Sequence, residues 1–391
     1  MMAGCGGGSE AGGDAGQAEN VSENEANSTS VSAAGSGDMS EKTADATESD
    51  NAVASDASVY QEPYAFAASL GAGINIGNSL DCYDANCDGT WEVPETYWGN
   101  PEISDELIKK LADDGFKTLR LPVTWMHHVD ADFNIQQSYM ERVKHLVDVA
   151  LDSGLYVIID IHHDTWTYPS YDNRELALSR IEKIWSQVAG EFSDYDERLL
   201  FEGVNEPREK GQGNEWTDGS EMSLEVVNDF MQCFVDTVRN AGGKNAERYL
   251  LITDYCNTYR QTNLDAMRIP EDNRLLMSIH FYCPYNFIAN RAGTFDDGNK
   301  QEFENNLATI INFGKNNNIP IVITEWGTFN SLDETAREEY VSYAVSRFKD
   351  EGIPYIWWDN GNTDRSDEAY GIYDRNTAEC IYPALQQQLV Q

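Results

Sequence analysis

Tyr156-Val157-Ile158-Ile159-Asp160-Ile161-His162-His163-Asp164 is the stretch on which the fold turns. Its first residues are apolar or aromatic in succession, with no polar alternation. That pattern suits a parallel strand covered on both faces better than a half-exposed antiparallel one. The run then breaks into Asp160, His162, His163 and Asp164. Similar short runs recur along the chain, at Gly73–Ile76, Thr118–Val123, Leu199–Val204, Tyr249–Thr253, Leu276–Phe281, Ile321–Thr324 and Tyr355–Trp358.

Amphipathic segments with helix punctuation separate these runs. Ser104 reads as the N-cap of a helix over Asp105–Asp114 that Gly115 closes. Tyr139–Ser153 ends at Gly154, and Arg174–Phe192 carries Ile181, Ile184, Trp185 and Val188 at helical spacing. Leu224–Ala241, a short stretch near Asn263–Met267, Glu302–Asn316, Asp333–Glu351 and Ala378–Val390 complete the set. Eight such βα units in one domain predict a closed (β/α)8 TIM barrel over residues 59–391. A doubly wound open sheet is the rival, but no GxGxxG or phosphate loop follows the first run.

The stretch before residue 59 has a different composition. From Cys5 to Ser58 it is Gly, Ala, Ser, Asn, Asp and Glu with almost no large apolar residue and no aromatic, which predicts a disordered acidic tether over 1–58. Met2-Ala3-Gly4-Cys5 resembles the end of a bacterial lipoprotein signal, which implies a lipid on Cys5 and an extracellular or cell-surface location. The chain's formal net charge is −40; the tether holds eleven acidic residues against Lys42 and leaves −30 on the remainder. A surface this acidic repels phosphate backbones and anionic lipids, so nucleic acid is not an expected partner, whereas a neutral polysaccharide is not repelled. No run of about 20 apolar residues appears, so no transmembrane segment is expected.

The polar residues fall where the apolar runs end. These ends carry Asn75, Gly77 and Asn78; Arg120, Pro122 and Trp125; Asp160, His162 and His163; Asn205-Glu206-Pro207; His280, Tyr282 and Tyr285; Glu325-Trp326-Gly327; and Trp357, Trp358, Asp359 and Asn360. In a barrel they converge on the face where active sites are built. There is no CxxC, HExxH or GxSxG. His162 and His163 are adjacent, and adjacent strand residues point to opposite faces, so they are not expected to share an ion; no metal and no cofactor is expected. Two glutamates remain, Glu206 and Glu325, ringed by His, Asn, Tyr and Trp. A carboxyl pair among aromatic rings fits glycoside hydrolysis, in which one carboxyl donates a proton while the other is ionised.

Taken together, Arg120-Leu121-Pro122, Asp160-Ile161-His162, Asn205-Glu206-Pro207, His280-Phe281-Tyr282, Thr324-Glu325-Trp326-Gly327 and Trp357-Trp358 resemble glycoside hydrolase family 5, the cellulase family, in order from about Leu70 to Trp358. The resemblance implies Glu206 as acid/base and Glu325 as nucleophile. It implies that Arg120 and Tyr282 hold Glu325, that His162 and Asn205 bond sugar hydroxyls, that His280 sits beside Glu206, and that Trp358 floors the subsite of the cleaved sugar. With these roles, Arg120 is expected to lower the pKa of Glu325 and the neighbouring charge to raise that of Glu206.

The stretch Trp91–Pro101 resembles the branch of endo-β-1,4-glucanases with side activity on xyloglucan and mixed-linkage glucan. The expected partner is therefore a β-glucan, with xyloglucan or mannan as alternatives and a non-catalytic carbohydrate-binding barrel as the rival outside enzymes. A monomer is expected. Trp91, Trp98, Trp166 and Trp216 are candidates for outer sugar subsites or for loop packing. Asp84-Ala85-Asn86-Cys87-Asp88-Gly89, with Glu95 at the twelfth position, fits a calcium-loop pattern, but Pro94 and the absence of flanking helices argue against it. Cys82 and Cys87 are spaced for one disulfide, and the other cysteines of the domain read as buried thiols.

Overall fold

The computed structural model describes residues 57–86, 92–289 and 293–391. Eight parallel strands close into a barrel in sequence order. They are β1 (Ala72–Asn75), β2 (Thr118–Leu121), β3 (Tyr156–Asp160), β4 (Leu199–Glu202), β5 (Leu250–Ile252), β6 (Leu275–His280), β7 (Ile321–Trp326) and β8 (Tyr355–Trp357). β1 pairs with both β2 and β8, which closes the ring.

A helix α1 (Ala57–Leu70) precedes the barrel. The others in chain order are α2 (Asp105–Asp113), α3 (Gln137–Asp152), α4 (Tyr171–Glu191), α5 (Glu221–Asn240), α6 (Gln261–Ala266), α7 (Tyr285–Ile288), α8 (Asp297–Asn317), α9 (Glu334–Asp350) and α10 (Pro383–Val390). The caps read from sequence hold locally: the Ser104 side chain accepts from Leu107 N–H at the start of α2. Among the described residues no helix is long and apolar enough to cross a membrane.

Three expectations shift. Helix α1 begins at Ala57, where the sequence reads as tether. It is fixed by tertiary contact: Ala67 and Leu70 join Ile158, Leu200, Leu251, Leu276, Val322 and Ile356 in the apolar barrel interior, and Phe66 stacks on Tyr249 with ring centroids 3.8 Å apart. The last helix starts at Pro383 instead of Ala378, because Glu379–Cys380 (β10) pairs antiparallel with Tyr373–Asp374 (β9). Strand β7 runs on through Glu325 and Trp326, held by a register shift that sets His280 of β6 opposite Glu325. The expected tether, apart from its last two residues, and Cys5 lie outside the described residues.

Candidate active site

Within the barrel, period-two alternation sends Ile158 of β3, Leu200 of β4 and Leu276 of β6 into the apolar interior. Two residues further along each strand the inward side chain is polar: Asp160, Glu202 and Ser278, all fully buried. Asn75, Arg120 and Thr324 join them, also fully buried. Arg120 is the hub, and its five N–H donors meet five different side chains. Nε donates to Glu202 Oε2 at 2.6 Å. Nη1 donates to Glu325 Oε1 at 2.7 Å and Asn75 Oδ1 at 3.0 Å. Nη2 donates to Asp160 Oδ2 and Asn205 Oδ1, each at 2.8 Å. Burial opposes its charge, but Glu202, Asp160 and Glu325 outweigh that and hold the guanidinium protonated.

Above this layer stand the two glutamates. Glu325 Oε1 is held by Arg120, and its Oε2 accepts from Tyr282 OH at 3.0 Å. Glu206 lies beyond the end of β4, with its carboxyl on His280 Nδ1 at 2.9 Å. The same imidazole places Nε2 3.4 Å from Glu325 Oε1 without a hydrogen bond, so the ring of His280 stands between the pair. An oxygen of Glu206, one of Glu325 and a His280 nitrogen all lie within 4.8 Å of one another. That spacing matches a nucleophile and an acid flanking one bond, at about 5–5.5 Å, and not the wider gap of about 6.5–9.5 Å that admits a water between them.

The charge balance differs from expectation. Arg120 does lower the pKa of Glu325, as does His280, but burial outweighs both and, with Glu206 adding to it, leaves Glu325 above its ordinary value. Burial dominates at this 4% exposed side chain, and the single charge of Arg120 also faces Asp160 and Glu202. Glu206 does not show the expected rise: burial works upward, but His280 and Arg208 work downward and its carboxyl lies below the ordinary value.

On the other flank, His162 Nδ1 bonds Asp160 Oδ2 at 2.7 Å, and its ring lies parallel to that of Trp358 at 5.9 Å between centroids. Burial, and then Arg120, drive the pKa of His162 well down, so the ring is neutral. Arg120 occupies the amide oxygen of Asn205, which leaves its amide nitrogen as the donor for a ligand. Trp358 is buried against Gly77, where an added Cβ would stand 2.4 Å from the indole, so a side chain at Gly77 would displace that floor.

His162 and His163 do not diverge as strand alternation suggests. The strand ends at Asp160, and past it both Nε2 atoms turn toward Asp81 Oδ2, at 4.0 and 3.9 Å. Among the described residues, Asp81–His162–His163 and Glu206–His280–Glu325 are the two groups with a metal-like clustering of donor atoms. Burial pushes Asp81 up to about 7, against the pull of the Ser79 and Asn78 N–H groups.

All eight residues expected at the site are thus brought together. Sequence reading missed four others that build it: Glu202, Asp81, Asn257 and Arg208. Glu202 carried a signal, a charge inside the apolar run Leu199–Val204 two positions after Leu200. Of the outer tryptophans, Trp166 is core, packed edge-on to Phe133 with its N–H on Asp164. Trp98 is half-buried against Tyr83 and His163, Trp216 remains exposed, and Trp91 lies outside the described residues. In the calcium-like loop Glu95 is paired with Arg142 at 2.8 Å, and residues 87–91 lie outside the described residues. The expected Cys82–Cys87 disulfide is not formed: Cys82 is a free thiol whose Sγ lies 3.5 Å from the Glu95 carbonyl, and Cys233, Cys256, Cys283 and Cys380 are free thiols as well.

Comparison with known proteins gives a consistent result. The model of the cellulase family, glycosyl hydrolase family 5, matches residues 82–364. The chain is 36% identical over 335 residues to an endoglucanase B of Neocallimastix patriciarum, covering 82% of this chain and 70% of that one. It is 32% identical over 343 residues to a xyloglucan-specific endo-β-1,4-glucanase of Bacteroides ovatus, covering 80% and 66%. Of longer relatives it spans as little as 39%. Among solved structures, a broad-specificity endoglucanase of Clostridium acetobutylicum superposes with a TM-score of 0.79 at 32% identity, covering 84% of this chain and 99% of that one.

Proposed function

The chain belongs to glycosyl hydrolase family 5, the cellulase family, and on that premise we propose that it cleaves β-1,4-glucosidic bonds within glucan chains with retention, Glu206 serving as acid/base and Glu325 as nucleophile. The observation that carries this reading is the approach of the two carboxyls to within 4.8 Å across His280. The pair shares one proton and titrates as a unit. With the glycosidic oxygen against Glu206, the proton resides there. Glu325 attacks the anomeric carbon as Glu206 protonates the departing oxygen, which breaks the C–O bond and forms a glycosyl ester on Glu325. Glu206, now ionised, takes a proton from water, whose oxygen displaces Glu325 and regenerates both groups.

Arg120 and Tyr282 orient the Glu325 oxygens, so that the attacking lone pair points at the sugar. Neutral His162 and the amide nitrogen of Asn205 bond hydroxyls of the sugar lying over Trp358. The similarity to a xyloglucan-specific relative favours branched glucan as a second substrate. The acidic segment before α1, residues 1–56, serves as a tether that holds a monomeric enzyme outside the cell through a lipid on Cys5.

Glu325→Gln should lower kcat on soluble β-glucan by about 10⁴-fold or more, while product NMR on the native enzyme shows the β-anomer first. Initial release of the α-anomer would overturn the mechanism, and a fully active Glu325→Gln enzyme would overturn the assignment.

A further inference from the structure

Glu206 has a backbone φ of +42°, in the left-handed region that a glutamate rarely occupies. A strained residue at a reaction centre persists only where its surroundings over-determine it. Both of its peptide groups are held by side chains. Its N–H donates to Asn257 Oδ1 at 2.8 Å, and its carbonyl accepts from Arg208 Nη1 at 3.1 Å. That same Nη1 lies 3.6 Å from Glu206 Oε2, so one cation grips the backbone and the carboxyl together.

Arg208 is itself fixed. Its Nε donates to Glu215 Oε1 at 3.0 Å, and its guanidinium carbon lies 4.1 Å from the ring centre of Trp216. It is 9% exposed, and it stands outside the Arg120 network. A lysine in its place would keep the charge but not the fork that reaches carbonyl, carboxylate and Glu215 at once.

We propose that Arg208 is the positioning residue of the acid/base: it locks the left-handed backbone of Glu206 and sets its carboxyl toward the leaving-group oxygen. This rests on the reading of Glu206 as acid/base. The arrangement matters only where a leaving group needs a proton. A cello-oligosaccharide departs as an alkoxide unless protonated, whereas dinitrophenolate leaves unaided. Arg208 also pulls the Glu206 carboxyl toward ionisation. Removing it therefore raises the pH at which the acid loses its proton, and the alkaline limb of activity moves up.

The test compares kcat/KM of the full chain on cellopentaose and on 2,4-dinitrophenyl β-cellobioside for Arg208→Gln, Arg208→Lys and Glu206→Gln. Arg208→Gln should lose about 10–100-fold on cellopentaose but no more than about twofold on the aryl substrate. Its alkaline limb should rise by about one pH unit. Arg208→Lys should keep the limb near that of the native enzyme and recover part of the rate. Equal losses of Arg208→Gln on both substrates, with an unmoved limb, would mark a merely structural residue and overturn the proposal, as would no loss on either. If Glu206→Gln itself lost equally on both substrates, the acid/base reading would fail first.

Discussion

The two ends of the barrel are built from the same strands and obey opposite chemistry. At the end facing α1, the inward positions Ile158, Leu200, Leu276, Val322 and Ile356 make a dry plug with Ala67 and Leu70. Toward the carboxyl ends, the inward positions become Asp160, Glu202, Ser278 and Thr324 around Arg120. Both layers are fully buried, so exposure does not distinguish them. The lower layer is stabilised by removal of apolar surface from water. The upper layer gains little net stability from its ions, because desolvation offsets their attraction. What it supplies is a fixed electrostatic frame for two carboxyls, and a frame of that kind does not have to reorganise during reaction.

The largest effect should come from breaking the hub. Arg120→Gln leaves Glu202, Asp160 and Glu325 without their shared cation. Stability should drop by about 3–5 kcal/mol in urea unfolding, and kcat/KM should fall by about 10²–10³-fold in the fraction that remains folded. A variant of native stability and activity would show that the upper layer is ordinary packing.

Breaking the lower layer should separate stability from rate. Leu200→Ala opens a cavity beneath the polar layer and should cost about 3 kcal/mol of stability, with kcat per folded molecule unchanged. A loss of kcat without a loss of stability would mean that the plug is part of the catalytic frame.

The smallest effect is a shift in a pH limb. Glu325 must be ionised to attack, and its pKa lies above the ordinary value, so activity should be lost as pH falls through that raised value. Glu202→Gln removes a competing anion from Arg120 and a negative charge from the neighbourhood of Glu325. Both changes lower the pKa of Glu325, and the acid limb should move to lower pH by about half a unit to one unit. An acid limb that stays in place or moves up would refute the division of Arg120's charge among its carboxylates.

The legibility of the site follows from where each residue's partners lie. Arg120, Glu206 and Glu325 stand in recognisable company along the chain, so each could be found from its neighbours. Glu202 and Asn257 could not be assigned, because their roles depend on partners far off in sequence: Glu202 on Arg120 and Ser278, Asn257 on the N–H of Glu206. Arg208 lies two residues from Glu206, but only the left-handed turn folds it back onto that carbonyl. His162 and His163 misled for a related reason, since alternation holds inside a strand and theirs had already ended.

The strand and helix succession, the barrel and the family are legible along the chain, because each of those is written in local periodicity and in short contiguous motifs. The placing of two glutamates on one rim is legible in the same way. How far apart they are, the place of His280 between them, and the dominance of burial over Arg120 in setting the charge of Glu325 come from packing. Those quantities depend on distances between strands and on how one guanidinium is shared among groups up to 205 positions apart in the chain.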